Sequence, residues 1–196
     1  MSGQQHVEFH RKVQMRRHLL RRWPDQGAAF VPFIGDGDLA VELYADRFVC
    51  GADLNPERVK LARARTGGYV LEADCDTWPF GPGEGIPTFT IGDFDAYAEP
   101  YSAFRAFWAH AEKADRLILF FTDGQRQSMM RVGSWIAPDG EHHQLDDLER
   151  RQRIFHRYWA GYVFPWFERY VAPWRVVDRF RYLRGWMVYW GAVIER

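Results

Sequence analysis

Short runs rich in β-branched and aromatic residues alternate with stretches whose apolar positions recur at helical spacing, almost from one end of the chain to the other. That alternation is the pattern of stacked βαβ units around a parallel sheet. The first strand is AAFVPFI (28–34), closed by GDGD and followed by a helix at LAVELYAD (39–46). The second is FVCGAD (48–53), with NPERVKLARAR (55–65) as its helix. Asn55 is placed to cap that helix, and Pro56 takes the first helical position, where a missing N–H is harmless. YVLEAD (69–74) and TFTIGDFD (88–95) are the third and fourth strands, the latter leading into a helix over 98–114. RLILFFTD (116–123) is apolar without a break, as a strand covered on both faces must be. Residues 136–144 read as a loop, and 145–171 as a long helix interrupted at Pro165. Two β-rich segments, 173–183 and 185–196, follow; the short link through Arg184 and Gly185 requires a hairpin. The prediction is one α/β domain over 1–196: a seven-stranded, mostly parallel sheet, helices on both faces, and a C-terminal antiparallel hairpin.

Composition agrees with a single packed domain: 196 residues, 47% hydrophobic and 27% charged, too apolar for a disordered tail. No apolar run approaches the roughly 18 residues of a spanning helix, and the N-terminus has no apolar leader, so a cytoplasmic protein away from membranes is expected. The two cysteines, Cys50 and Cys75, are expected to be reduced. Charge changes the picture. The 26 cations and 26 acids cancel, yet residues 1–24 carry six cations against one acid and 150–194 nine against two, leaving the middle acidic. Two segments concentrate the positive charge: a basic N-terminal helical segment (1–27), with Lys12 and Arg16 on its faces, and an aromatic, Arg-rich helical segment (141–171). Cations interleaved with Tyr158, Trp159, Trp166 and Phe167 suit the backbone and bases of RNA or DNA, although core packing explains the rings equally well. Oligomeric state is left open.

Chemistry concentrates at strand ends. Gly35-Asp36-Gly37-Asp38-Leu39-Ala40 satisfies G-x-G-x-x-A, the turn that lets a ligand approach the backbone, and Asp53 ends the next strand, where an acid can accept both ribose hydroxyls. A dinucleotide and S-adenosylmethionine (SAM) share those needs. Asp36 and Asp38 would oppose a pyrophosphate and favour a ligand with an ammonium and a sulfonium. The third strand ends at Asp74-Cys75, placing an acid near an adenine amino group.

These residues resemble the class I SAM-dependent methyltransferases over nearly the whole chain from Ala28, which implies a Rossmann-like sheet and SAM as cofactor. Val31-Pro32-Phe33-Ile34-Gly35-Asp36-Gly37 is similar to the D/E-P-F-x-G-x-G form of nucleic-acid amino-methyltransferases, with Val31 in place of the acid that helps hold the methionine ammonium; Asp36 or Asp38 stands in for it. Asp93-Phe94-Asp95-Ala96-Tyr97-Ala98 resembles the D-P-P-Y motif and, more closely, the D-L-D-P-Y-G segment of tRNA guanine-N2 dimethyltransferases, with Ala96 and Ala98 where Pro and Gly are usual. The resemblance implies cofactor contacts at Phe33, Gly35, Asp36, Gly37, Asp38, Asp53, Leu54, Asp74, Cys75 and Asp93. It implies catalytic roles for Asp93, Asp95 and Tyr97: a carboxylate accepts from an amine N–H while a ring stacks on the base. Two acids flanking Phe94 on one strand point the same way, and such a pair needs a cause. Methyl transfer to an exocyclic amine of RNA or DNA is the first expectation; a small-molecule methyltransferase and a non-catalytic SAM- or nucleic-acid-binding module are the alternatives. No metal site is expected: Asp146 and Asp147, beside His142 and His143, sit where a helix starts and read as caps.

Overall fold

The computed structural model describes residues 3–81 and 85–196, with side chains from Glu8 onward; Met1 and Ser2 of the predicted basic segment lie outside the described residues. In chain order the elements are α1 (Gly3–Arg22), β1 (Ala28–Pro32), α2 (Asp38–Tyr44), β2 (Val49–Asp53), α3 (Pro56–Thr66), β3 (Tyr69–Glu72) and β4 (Phe89–Phe94). They continue with α4 (Tyr101–His110), β5 (Lys113–Asp123), α5 (Gln125–Arg131), β6 (Ser134–Ile136), β7 (His142–Gln144), α6 (Leu148–Arg157), a π-helical turn (Tyr158–Val163), α7 (Phe164–Tyr170), β8 (Arg175–Arg184) and β9 (Met187–Glu195).

Seven strands form one sheet in the order β3-β2-β1-β4-β5-β9-β8. The first five pair in parallel, and β9 runs antiparallel to both its neighbours, β5 and β8. β8 therefore points the same way as β5, and β9 alone is reversed. Alternate residues of the buried strands feed two cores. Phe30, Leu117, Leu119, Phe121 and Trp190 face α4 to α7, while Ala29, Val31, Ile118, Phe120 and Val193 face α1 to α3. The helices thus cover both faces, as the uninterrupted apolar runs require. Much of the aromatic content stacks in the first core, for example Phe121 on Trp190 with ring centroids 4.1 Å apart.

Three local expectations change. The loop expected over 136–144 contributes to a small hairpin, β6 with β7, in which Ser134 pairs with Gln144. Gly140, at φ 97°, closes its turn, and the Asp139 carboxylate accepts from the Glu141 N–H at 3.1 Å. The helix over 145–171 breaks upstream of Pro165, in the π-helical turn, where the Phe164 N–H donates to the Trp159 carbonyl, five residues back. The helix after β4 stops at His110, because the Glu112 carbonyl accepts from the Phe89 N–H and draws the chain into β5.

Candidate active site

Strand order reverses at β1, whose neighbours are β2 on one side and β4 on the other. In an open parallel sheet the crevice beyond the strand ends at that point is where ligands bind. A cleft of about 440 Å³ lies there, within the range of ordinary small-molecule sites. The turn after β1 forms its floor, Asp95 and Tyr97 form one wall, and Glu8, Phe9 and Lys12 of α1 form the roof.

The turn is conformationally demanding. Phe33 adopts φ 60°, a left-handed backbone that a bulky residue rarely takes, and its N–H donates to Cys75 Sγ at 3.3 Å. Gly35, at φ 56°, has open space where a side chain would stand, and at Gly37 a Cβ would come within 3.2 Å of the Ala62 Cα. The first glycine leaves room for a ligand; the second lets α2 close on α3.

Asp53 anchors the turn. Its carboxylate accepts from the Gly35 N–H at 3.1 Å and the Asn55 N–H at 2.9 Å, which leaves lone pairs for further donors. Asn55 caps α3 through the N–H groups of Glu57 and Arg58, as its spacing predicts. Leu54, Asp74 and Cys75 sit beyond the ends of β2 and β3, and none of the three borders the cleft. Asp74 is exposed and accepts from the Asp76 N–H at 3.0 Å. Cys75 is buried, which pushes its thiol up to about 12 and makes it no nucleophile.

The acidity of the turn is offset in a way its sequence does not announce. Asp38 pairs with Arg65 at 2.6 Å, and Asp36 lies 3.7 Å from Arg58. The turn carboxylates therefore oppose a pyrophosphate less than their sequence implies, and Arg58 itself borders the cleft.

The two acids flanking Phe94 find their cause in α1. Asp93 is fully buried, and both its oxygens are taken: Arg16 donates Nε and Nη2 at 2.8 and 2.7 Å, and the Tyr44 hydroxyl donates at 2.7 Å. Desolvation opposes the Arg16 charge, but Asp93 and Asp95 outweigh it and raise the Arg16 pKa; burial and the Asp93 charge raise that of Tyr44. Asp95 faces the cleft. Lys12 Nζ donates to both its oxygens at 2.8 and 2.9 Å, and Arg16 approaches to 3.5 Å. Burial alone would raise the Asp95 carboxyl, but the Lys12 and Arg16 charges prevail and hold it below the usual range. The sequence marks Lys12 and Arg16 only as cations of the basic segment; their pairing with Asp95 and Asp93 is what the structure adds. The signal was their spacing: four residues of helix rise about 6 Å, close to the roughly 6.6 Å that separates two alternate residues of a strand.

Tyr97, by contrast, is 83% exposed at the rim of the cleft. One strand over, Asp123 is buried at the end of β5 and accepts from the hydroxyls of Tyr101 and Tyr158 and from the Gln125 N–H. Burial raises its carboxyl to about 6 against those hydrogen bonds. The aromatics of 141–171 are mostly structural: Phe167 is core, Trp166 packs on Tyr101 and Tyr170, and Trp159 carries Arg181. Asp147 caps α6 through the N–H groups of Glu149 and Arg150. Among the described residues no cluster of His, Cys, Asp and Glu could hold a metal ion, and no helix is long and apolar enough to cross a membrane.

The chain matches no protein-family model and no curated protein sequence. In three dimensions it is similar to TrmN from Thermus thermophilus (TM-score 0.51, 16% identity), covering 94% of this chain but 48% of that one, about half its length. It is also similar to the N-methyltransferase NodS from Bradyrhizobium japonicum WM9 in complex with S-adenosyl-L-homocysteine (SAH), with TM-score 0.56, 14% identity, and 95% of this chain and 86% of that one covered. A third likeness is to magnesium protoporphyrin IX methyltransferase (ChlM) from Synechocystis PCC 6803 with bound SAH, with TM-score 0.54, 11% identity, and coverage of 96% and 83%. With its reversed strand between β5 and β8 and its ligand crevice at β1, the chain has the Rossmann-like methyltransferase fold.

Proposed function

We propose that the chain is a SAM-dependent methyltransferase acting on an amine nitrogen, with an exocyclic amino group of RNA or DNA as acceptor. The observation that carries this reading is one cleft shared by the glycine turn and a charged, part-exposed carboxylate, Asp95. SAM fits the residues present. Each acid on the cleft border has a cation partner, Glu8 with Arg184, Asp36 with Arg58, Asp38 with Arg65 and Asp95 with Lys12, so the fit rests on the open turn and on Asp53 rather than on net charge. The open space over Gly35 admits a ligand close to the backbone. Asp53 would take the ribose hydroxyls, and Asp74 with Cys75 the adenine edge.

Bound SAM supplies a sulfonium methyl as the electrophile. Asp95, held ionised by Lys12 and Arg16, accepts an N–H of the acceptor amine and turns its lone pair toward the methyl group; Tyr97 stacks on the acceptor ring. A carboxylate held ionised in this way would orient the amine rather than deprotonate it; the methyl would pass from sulfur to nitrogen, with SAH as the leaving group and the amine proton released to solvent. Asp93 is assigned a positioning role through Arg16, because it is fully buried and does not border the cleft, whereas Asp95 is part-exposed to it.

Calorimetric titration tests the cofactor. SAM is expected to bind and NAD not to, with Asp53→Ala weakening SAM roughly tenfold or more. Asp95→Asn is expected to keep SAM affinity within about twofold and to lose about 100-fold in methyl transfer. Binding of NAD in preference to SAM, or of neither, would sink the reading. A free small molecule is the second reading, favoured by the match in extent to magnesium protoporphyrin IX methyltransferase, of which 83% is covered against 48% of TrmN. Strongly salt-dependent binding of RNA or DNA would decide for the first.

A further inference from the structure

Beyond Tyr97 lies a second pocket, of about 260 Å³, bordered by Tyr97, Gly124, Gln127, Ser128 and Arg131. Tyr97 belongs to this pocket and to the cofactor cleft alike, so a ligand held in one abuts the other. Its backbone is fixed from β5: the Gly124 N–H donates to the Ala98 carbonyl at 2.9 Å, and a Cβ on Gly124 would come within 2.4 Å of the Tyr97 carbonyl oxygen. The ring is left in water on a rigid stem, and a flat ligand laid on it would remove that apolar surface from solvent.

The charge of this pocket is opposite to that of its neighbour. No carboxylate borders it, and Arg131 is its one formal charge. Among the described residues, the side chains of Gln127, Ser128 and Arg131 make no hydrogen bond or ion pair within the chain. Arg58 and Arg65, which flank the cofactor turn, both have carboxylate partners. Three unspent donors of different kinds, a guanidinium, a hydroxyl and a carboxamide, therefore face one small space. A group with several anionic oxygens is what such a set binds.

We infer that this pocket holds the phosphate of a nucleotide acceptor whose base stacks on Tyr97, and that Arg131 selects for that phosphate. The inference rests on the methyltransferase reading for the meaning of "acceptor", but not for the binding itself. The phosphate comes either from a free nucleotide or from a strand, and the probes separate the two.

The experiment is a set of calorimetric titrations on the full chain saturated with SAH: AMP and GMP, the matching nucleosides, and a short single-stranded RNA. Wild type is compared with Arg131→Gln, an exposed substitution that leaves the core untouched. Nucleotides are expected to bind at least about tenfold tighter than nucleosides, and Arg131→Gln is expected to erase that preference while leaving SAH affinity unchanged. Binding of the mononucleotides assigns the free form. Binding of RNA alone, weakened by Arg131→Gln with a shallower salt dependence, assigns the strand. Equal affinity for nucleotide and nucleoside, a preference that survives Arg131→Gln, or no binding of any probe while SAH binds would each overturn the inference. Should SAH fail to bind while nucleotides still bind through Arg131, the pocket stands and the methyltransferase reading falls.

Discussion

β4 and β5 lie side by side and end in buried acids, yet the two ends are built from opposite materials. At β4, α1 brings Lys12 and Arg16 onto Asp95 and Asp93, so charge is met by charge. At β5, Asp123 meets the hydroxyls of Tyr101 and Tyr158, so charge is met by dipoles. A nearby cation prevails over desolvation and keeps Asp95 ionised; hydroxyl donors do not, and Asp123 titrates at about 6. Two carboxylates on neighbouring strands thus acquire different chemistry from what faces them. In the proposed reaction, the end that would present a permanent acceptor to an amine is the one roofed by cations.

The comparison breaks most severely at Arg16. Arg16→Met leaves Asp93 buried without its counter-charge and is expected to destabilise the protein by about 3–5 kcal/mol, measured by urea denaturation. Arg16→Met combined with Asp93→Leu is expected to recover most of that loss, since the penalty belongs to the orphaned charge. If the single and double variants were equally unstable, packing and not charge would hold α1 in place.

Next in size is the pH dependence. The folded-state pKa of Asp123 is raised, from the ordinary 3.8 to about 6, so the folded protein binds the extra proton and its stability falls as pH rises through that window. The loss amounts to about 3 kcal/mol, and Asp123→Asn is expected to flatten it. Asp95 has the reverse sign. Its lowered pKa gives a contribution present above the unfolded value and lost as the solution is acidified below it. Urea midpoints from pH 3 to 7 for wild type, Asp95→Asn and Asp123→Asn separate the two, and parallel curves for all three would refute the contrast.

The smallest effect sharpens the same point. Lys12 and Asp95 are both partly exposed, at 23% and 18% of the side chain, so Lys12→Met is expected to cost less than about 1 kcal/mol. It nevertheless removes the largest electrostatic support of the Asp95 anion, and the acid limb of any methyl-transfer pH profile is expected to move upward. An unmoved limb would detach Asp95 from the reaction.

Periodicity sufficed for the seven-stranded sheet, because a strand buried on two faces and an amphipathic helix leave different marks on the sequence. It failed where local and tertiary effects compete. The β6–β7 hairpin is too short and polar for its pattern to show, with His143 stacked on Trp135 instead of an apolar pair. The π-helical turn lies just before Pro165, and the pattern of apolar residues does not distinguish it from the α-helix on either side. At the site, the glycine turn and the aspartates could be read from position alone, since their spacing follows from strand ends. Their partners could not, because Arg16 and Asp93 stand 77 residues apart and only docking of α1 brings them together. Shorter separations, 22 and 27 residues, hid Arg58 and Arg65 from the reading of Asp36 and Asp38.

The reversed strand β9 has a consequence for colloidal behaviour. Lodged between β5 and β8, it leaves β3 and β8 as the free margins of the sheet, where unpaired amides invite another molecule to add a strand. β3 offers four residues, little for a newcomer to grip. β8 is ten residues long, but Arg175, Arg179 and Arg181 stand exposed along it, and repulsion between like charges disfavours a second copy lying alongside. Part of the positive charge of the C-terminal segment thus lies along a sheet edge and not at the cleft.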